Sequence, residues 1–310
     1  MFIAKDFIET TEGLKFAVVA NGVEQNKVLC FLRYVREADG GWKKYPTDAA
    51  NALLRAQYPD YLYYSAQLDA HLHAVALDNI TQHYRPTQGL QAILQRAFKD
   101  SVEQDLADLA LLFQDHGVDL TQTGITGSML LGLHNPASDI DWVCYQRDVF
   151  HHCRRVMPQL IEEGHLQALS HQDWQDSYHR RDASLSFADY VWHEQRKMNK
   201  ALINGRKFDL NFVNPSVAPV SGHYQKIGAI RFQSRVVNAD YAFDYPAKFT
   251  IDHDDIRTVV CFTATYTGQA RTDELIEVAG QLEQDENGIK RLVVGTSREA
   301  QGGYIRVLNV

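Results

Sequence analysis

Three aspartates occupy segments in which the sequence predicts short strands. Asp139 and Asp141 are one residue apart in "SDIDWVCY", and Asp209 lies in "RKFDLNFV". Alternate side chains of a strand share a face, so Asp139 and Asp141 point away from the face of Ile140 and Trp142. Aspartate is disfavoured inside strands, and neighbouring carboxylates raise one another's pKa. The pattern therefore predicts a positively charged partner for these side chains.

A divalent cation removes this repulsion if the two strands are neighbours. Carboxylate oxygens suit Mg²⁺, which proteins commonly hold jointly with substrate phosphates. Two ions about 3.5 to 4 Å apart stabilise the attacking and the leaving oxygen of phosphoryl or nucleotidyl transfer. We therefore expect Asp139, Asp141 and Asp209 to be catalytic and to bind two Mg²⁺ or Mn²⁺ ions. The competing interpretation is a simple turn at Ser138 and Asp139 before a buried strand.

A Gly-Ser pair precedes the first two aspartates in "GSMLLGLHNPASDID". We expect a strand over residues 123–126 and a short helix over 128–133, with Gly127 and Ser128 at the helix N-terminus. Free backbone N–H groups and the helix dipole favour an anion there. Glycine permits close approach of the backbone, and the serine hydroxyl adds a donor. The pair is therefore predicted to bind the phosphates of a nucleotide.

These motifs resemble those of the nucleotidyltransferase superfamily that includes DNA polymerase beta, poly(A) polymerases and CCA-adding enzymes. The resemblance covers roughly residues 101–215 and implies a polymerase beta-like domain, with a short mixed sheet and helices, that uses an NTP such as ATP. It also implies that Asp209 helps to activate the attacking hydroxyl. The flanking segments "DFIETTEGLKFAVV" and "VVGTSREAQGGYIRVL" are similar to those of an archaeal-type group of predicted nucleotidyltransferases.

A basic segment lies between the second and third aspartates, in "HEQRKMNKALINGRKF". Arg196 and Lys200 are one helical turn apart, and Lys197 is next to the first of them. We expect these three residues to bind nucleotide or acceptor phosphates; a solvated helix face is the equally weighted alternative.

The composition restricts the class of protein. The 310 residues carry a formal net charge of −8, which argues against a protein that coats nucleic acid. The four cysteines form no C-x-x-C pair, which disfavours a disulfide framework or a cysteine zinc site. The N-terminus has no signal-peptide pattern and no apolar run has the length of a membrane span, so we expect a cytoplasmic protein without a membrane partner.

The pattern of elements predicts three domains with α/β and α+β character. Residues 1–98 form an N-terminal α+β unit, with hairpin strands followed by helical spacing from Pro46 to Pro86. Residues 99–220 form the catalytic domain, which opens on an amphipathic helix in "SVEQDLADLALLFQDHG". Residues 221–310 form an antiparallel β-rich sheet or barrel.

Two functions compete at this point. The first is a Mg²⁺-dependent nucleotidyltransferase that moves an NMP group from an NTP to an acceptor hydroxyl with release of pyrophosphate. The second is a non-catalytic nucleotide- or RNA-binding module that uses the same pocket. Residues 222–310 hold ten Lys and Arg against twelve Asp and Glu, which gives RNA binding little support. The sequence leaves open the acceptor, which is an RNA, a protein or a small molecule, the preferred base and the oligomeric state.

Overall fold

The computed structural model describes residues 1–66, 70–181, 183–216, 224–295 and 302–308. Across these residues it contains seven α-helices and three mostly antiparallel sheets, which confirms the expected mixture of α and β structure. None of the described helices is long and apolar enough to cross a membrane.

The chain divides into two compact units. The first unit is Met1–Gln167 with Ala201–Ser221, and the second is Ala168–Lys200 with Gly222–Val310. Each of the three predicted domains contains one of the sheets, and the division into three domains stays a prediction. The chain leaves the first unit after the second aspartate, returns for the strand of Asp209, and then enters the second unit again.

The N-terminal sheet of the first unit has the strand order β5-β6-β3-β2-β1-β7, with β4 beside β3. Ile8, Leu14 and Phe16 lie in a core that also contains Ala50 and Leu54 of the helix after β4. The elements are β1 (Phe7–Thr10), β2 (Leu14–Val18), β3 (Lys27–Arg36), β4 (Trp42–Lys44), α1 (Thr47–Gln57), β5 (Leu62–Ser65), β6 (Ala70–Ala76), β7 (Ile80–Tyr84) and α2 (Pro86–Leu94).

The helical spacing predicted up to Pro86 is right for α1 and wrong for Leu62–Ser65, Ala70–Ala76 and Ile80–Tyr84, which form β5, β6 and β7. Apolar residues four apart fit a helix, but they also share a face of a strand. His73 and Val75 pair with Cys30 and Val28 of β3 in an antiparallel register. Long-range pairing with β3 therefore decides the structure of this segment, and local spacing does not.

The second sheet of the first unit has the order β10-β11-β9-β8. Strands β9 and β11 are parallel, and β8 and β9 are antiparallel. Phe113 of the predicted amphipathic helix packs edge-to-face against Trp142 and Phe208 on the buried side. The elements are α3 (Ser101–Asp115), β8 (Thr123–Thr126), α4 (Gly127–Leu130), β9 (Ile140–Cys144), α5 (Arg147–Glu162), β10 (Lys200–Ile203) and β11 (Arg206–Phe212).

The second unit contains a closed barrel. Its strands run in the order β12-β13-β14-β16-β15, and β15 pairs again with β12, while β17 extends the sheet beyond β15. All pairs are antiparallel except β14 with β16. The strands are β12 (Tyr224–Tyr241), β13 (Ala247–Asp252), β14 (Ile256–Cys261), β15 (Leu275–Asp285), β16 (Lys290–Val294) and β17 (Tyr304–Val307).

The insertion Ala168–Lys200, between the second and third aspartates, belongs to this second unit. It contains α6 (His171–Arg181) and α7 (Phe187–Lys197). Leu185, which precedes α7, lies in the barrel core. His193 accepts a hydrogen bond from the backbone N–H of Val307 at 3.0 Å. The insertion is thus a structural part of the second unit.

Two glycines of the barrel allow a matched test of its packing. A Cβ at Gly280 would lie 2.3 Å from the backbone oxygen of Val293, whereas a Cβ at Gly228 would have no neighbour within 4 Å. We expect Gly280→Ala to destabilise the protein by about 1 to 3 kcal/mol through overpacking. Gly228→Ala should be neutral or stabilising by up to about 1 kcal/mol, because alanine restricts the unfolded chain. Urea unfolding measures both, and equal midpoints would refute the barrel register.

Candidate functional site

Asp141 and Asp209 face each other across two neighbouring parallel strands. They are direct register partners of β9 and β11. Ile140, next to Asp141, and Phe208 and Leu210, on either side of Asp209, are buried on one face of the sheet. Both carboxylates are therefore on the other face. The convergence that the sequence predicts for these two residues is therefore present in the backbone.

Asp139 precedes β9 by one residue, and its charge acts on Asp141. The pKa of Asp141 is raised, first because the carboxyl group is desolvated; Lys5 lowers it, and the carboxylates of Asp209 and Asp139 raise it further. Lys44 also lowers it. The three aspartates thus interact electrostatically with one another and with the two lysines.

Gly127 lies directly against the Asp141 carboxylate. Its φ of +71° is in the left-handed region, and a Cβ would be 2.6 Å from Asp141 Oδ2. Thr126, the preceding residue, is the antiparallel partner of Asp141. Glycine is therefore required at position 127 both for its backbone conformation and for its close approach to a charged side chain.

The helix after Gly127 is shorter than predicted. It covers Gly127–Leu130 instead of residues 128–133. A single turn provides little of the dipole that the sequence interpretation invoked. The Ser128 hydroxyl is 3.4 Å from that of Ser138, which accepts a hydrogen bond from the backbone N–H of Asn135. Ser128 thus lies beside the loop that leads into Asp139.

Arg206 holds this loop in place. Its guanidinium donates to the carbonyl oxygens of Pro136 at 2.8 Å and Ser138 at 2.9 Å. The same side chain donates to Asp105 of α3 at 2.7 Å. Arg206 opens the strand that carries Asp209, so one residue links that strand to the approach of Asp139. Its position at the start of "RKFDLNF" gave no signal of this role.

Lys5 and Asn211 are site residues that the sequence interpretation missed. Lys5 Nζ donates to Asn211 Oδ1 at 3.2 Å. Asn211 is two residues beyond Asp209, so strand alternation places both on one face and could have identified it. Nothing in the sequence indicated Lys5. Burial raises the pKa of Tyr34 in β3, Arg33 lowers it, and the charge of Asp141 raises it further.

The predicted phosphate-binding cations lie in the second unit and are engaged in ion pairs there. Lys197 is buried, donates to Glu194, and also donates to the carbonyl oxygen of Thr265 at 2.8 Å. Lys200 pairs with Glu194 at 2.8 Å. Burial alone would raise the pKa of Glu194, but the two ammonium groups lower it to about 2.

Arg196 also has partners within the second unit. It pairs with Glu274, and its guanidinium lies 4.3 Å from the centre of the Trp192 ring. Arg196 and Lys197 thus join α7 to residues of the barrel segment, and Lys200 pairs with the same Glu194 of α7. A role for Arg196, Lys197 and Lys200 in phosphate binding stays a prediction.

Among the described residues, no three His, Cys, Asp or Glu side chains are grouped as ligands of one metal ion. A cavity of about 350 Å³ in the first unit lies at another place, where Asp6, Arg85 and Tyr145 contribute to its lining. Asp139, Asp141 and Asp209 are absent from that lining. The candidate site is therefore defined by the strand register and by Gly127.

The comparisons with known proteins identify one relative. The uncharacterized protein MJ1086 of Methanocaldococcus jannaschii is 35% identical over an alignment of 335 positions, gaps included. The alignment covers 98% of this chain and 98% of that protein. The chain belongs to the MJ1086 family. No family model and no solved structure matches it. Both units of the fold lie within the aligned length.

Alanine variants of Gly127 and Gly132 distinguish the cost of backbone strain from the cost of contact with Asp141. Gly132 has a φ of +65°, but a Cβ there has no neighbour within 4 Å. We expect Gly132→Ala to cost about 1 to 2 kcal/mol from the left-handed conformation alone. Gly127→Ala should cost more, because its methyl group also displaces the Asp141 carboxylate. Urea unfolding of both variants measures this difference, and equal losses would show that Asp141 does not lie against Gly127.

Asp141→Asn should raise stability at pH 7 in metal-free buffer. The folded pKa of Asp141 lies above its usual value, so the neutral carboxyl favours the folded state, and that contribution is lost as the pH rises through the folded pKa. Asparagine resembles the neutral form. The gain in urea midpoint should disappear at a pH low enough to protonate Asp141 in both states. A variant less stable than the wild type at pH 7 would contradict this electrostatic assignment.

Proposed function

We propose that the protein is a Mg²⁺-dependent nucleotidyltransferase that moves an NMP group from an NTP to an acceptor hydroxyl and releases pyrophosphate. The observation that carries this proposal is the direct pairing of Asp141 with Asp209, with Gly127 in contact distance of the first carboxylate. A mixed sheet that presents acidic residues on adjacent strands also supports a polymerase beta-like core for the second sheet.

The acidic cluster has the chemistry of a Mg²⁺ site. Carboxylate oxygens are hard donors, and a cation relieves the repulsion that, together with burial, raises the pKa of Asp141. Asp139, Asp141 and Asp209 would hold the two ions. When bound, Mg²⁺ supplies Lewis-acid stabilisation of the charge that develops on the phosphate and on the attacking oxygen.

The residues of the chain have separate tasks in this proposal. Gly127 lets the backbone come close to the phosphates, and the Ser128 hydroxyl donates a hydrogen bond to one of them. Asp209 accepts a hydrogen bond from the acceptor hydroxyl and helps to remove its proton as the O–P bond forms. The bond between the α-phosphorus and the oxygen that bridges to the β-phosphate breaks, and pyrophosphate leaves with its electron pair. Arg206 keeps the loop before Asp139 in position.

The competing function is a nucleotide- or RNA-binding module without catalysis. The closed barrel of the second unit favours it, because small five-stranded barrels are a common platform for oligonucleotides. The near balance of basic and acidic residues in this segment provides no electrostatic attraction for a phosphate backbone. Catalysis accounts for the third carboxylate, Asp209, for which simple binding gives no reason.

Pyrophosphate release tests the proposal directly. The wild type is incubated with Mg²⁺, each labelled NTP, and a panel of RNA, protein and small-molecule acceptors. We expect Asp141→Asn and Asp209→Asn to lower the rate at least about 1,000-fold, since each removes a group that acts on the transition state. Asp148→Asn is the matched control, because this aspartate is exposed in the first turn of α5.

The outcomes separate the two functions. Label transferred by the wild type and by Asp148→Asn, but not by the other two variants, supports catalysis at the aspartates. Nucleotide binding in calorimetry without pyrophosphate release from any acceptor favours the binding module. Full activity in Asp141→Asn excludes the proposed site.

A further inference from the structure

The N-terminal segment is fixed against the sheet that carries the aspartates. Ala4 is buried together with Val143, Tyr145 and Val213, which lie on or next to β9 and β11. Ile3 packs against the same cluster. Lys5 follows this apolar pair, so the packing of Ile3 and Ala4 places its backbone beside the second sheet.

Lys5 has an unusual backbone conformation, and both its N–H and its carbonyl oxygen are hydrogen-bonded. Its φ is +78°, in the left-handed region that residues other than glycine seldom adopt. Its N–H donates to the carbonyl oxygen of Val18 at 3.0 Å. Its carbonyl oxygen accepts from the Thr126 hydroxyl at 2.6 Å. Such strain persists where the surrounding structure enforces it, and it is concentrated at functional sites.

Two hydrogen-bond partners of Lys5, Thr126 and Asn211, lie next to the aspartates. Thr126 is the cross-strand partner of Asp141 and directly precedes Gly127. Asn211, which accepts from Lys5 Nζ, is two residues beyond Asp209 on β11. The amide nitrogen of Asn211 donates to the carbonyl oxygens of Trp142 and Asp209, so its oxygen is directed to the lysine. The ammonium group is therefore held beside the pair of carboxylates.

We propose that Lys5 is a functional cation of this site, which compensates the aspartates in the absence of ligand and pairs with the terminal phosphates of a bound nucleoside triphosphate. This inference rests on the proposed function, because the triphosphate is the substrate named there. A lysine ammonium binds phosphate as a compact point charge and can rotate between neighbouring acceptors. The electrostatic effect of Lys5 on Asp141 agrees with this placement.

This role predicts two effects of opposite sign. Without the ammonium, the carboxylates attract a divalent cation more strongly, because a positive charge near them is gone. Without it, the triphosphate loses a charge-assisted partner and binds more weakly. A lysine that serves only to keep the fold together would weaken both interactions when it is replaced.

Lys5→Gly and Lys5→Met are suitable variants. Glycine suits a φ of +78° and removes the charge without strain, so this variant should fold even if Lys5→Met does not. Lys43→Met is the matched control, since Lys43 has a side chain that is 62% exposed and lies on the opposite side of β4 from Lys44. Lys5→Arg keeps the charge and should bind Mn²⁺ like the wild type.

Two titrations measure the effects. Free Mn²⁺ is followed by electron paramagnetic resonance without nucleotide, and binding of a non-hydrolysable ATP analogue is followed by calorimetry at saturating Mn²⁺. For both charge-removing variants we expect the Mn²⁺ Kd to fall about threefold or more and the analogue Kd to rise about tenfold or more. Lys43→Met should change neither by more than about twofold.

Asp141→Asn in the Mn²⁺ titration distinguishes the two proposals. If Asp141→Asn and the wild type bind Mn²⁺ alike, the metal site and the proposed function fall, and the Lys5 assignment falls with them. If Asp141→Asn loses Mn²⁺ but the Lys5 variants leave both Kd values unchanged, or raise both, the assignment of Lys5 alone is overturned. Opposite changes in the two Kd values support it.

Discussion

The repulsion between Asp141 and Asp209 is the constraint around which the first unit is arranged. Their strands are direct neighbours in register, so the carboxylates share a face while large apolar residues fill the other side. Burial raises the cost of charge at Asp141. A core that needed only stability would place uncharged residues there, and proteins retain such unfavourable groups mainly where they serve a function.

The surrounding structure holds this arrangement from three directions. Gly127, which follows β8, lies against the Asp141 carboxylate. Arg206 fixes the loop that precedes Asp139 in the chain. Lys5, in the N-terminal segment, is held there because its carbonyl oxygen accepts a hydrogen bond from the Thr126 hydroxyl. These contacts all lie within the first unit, whereas the pairs of Glu194 with Lys197 and Lys200 lie within the second. Since Lys197 is buried and Glu194 is the carboxylate with which it pairs, the loss of the Glu194 charge would leave a buried ammonium group uncompensated.

The sequence predicts the features that short-range patterns determine. Strand alternation identifies the shared face of Asp139 and Asp141, and apolar periodicity identifies α3 through Leu106, Leu109 and Phe113. Such patterns do not show long-range pairing. Pairing with β3 makes Ala70–Ala76 a strand although its apolar spacing also fits a helix, and contacts distant in sequence place Ala168–Lys200 in the second unit. Lys5 is about 120 residues from Thr126, so only the folded chain reveals its place.

A crystal grown with Mn²⁺ and a non-hydrolysable ATP analogue tests the central claim most directly. The anomalous signal of Mn²⁺ locates the ion independently of any assumption about activity. We expect the anomalous peak to place Mn²⁺ within coordination distance of the carboxylates of Asp141 and Asp209, and we expect the analogue's phosphates to lie beside Gly127. A well-ordered analogue with Mn²⁺ bound elsewhere, and with the two aspartates in contact with neither, would contradict the account.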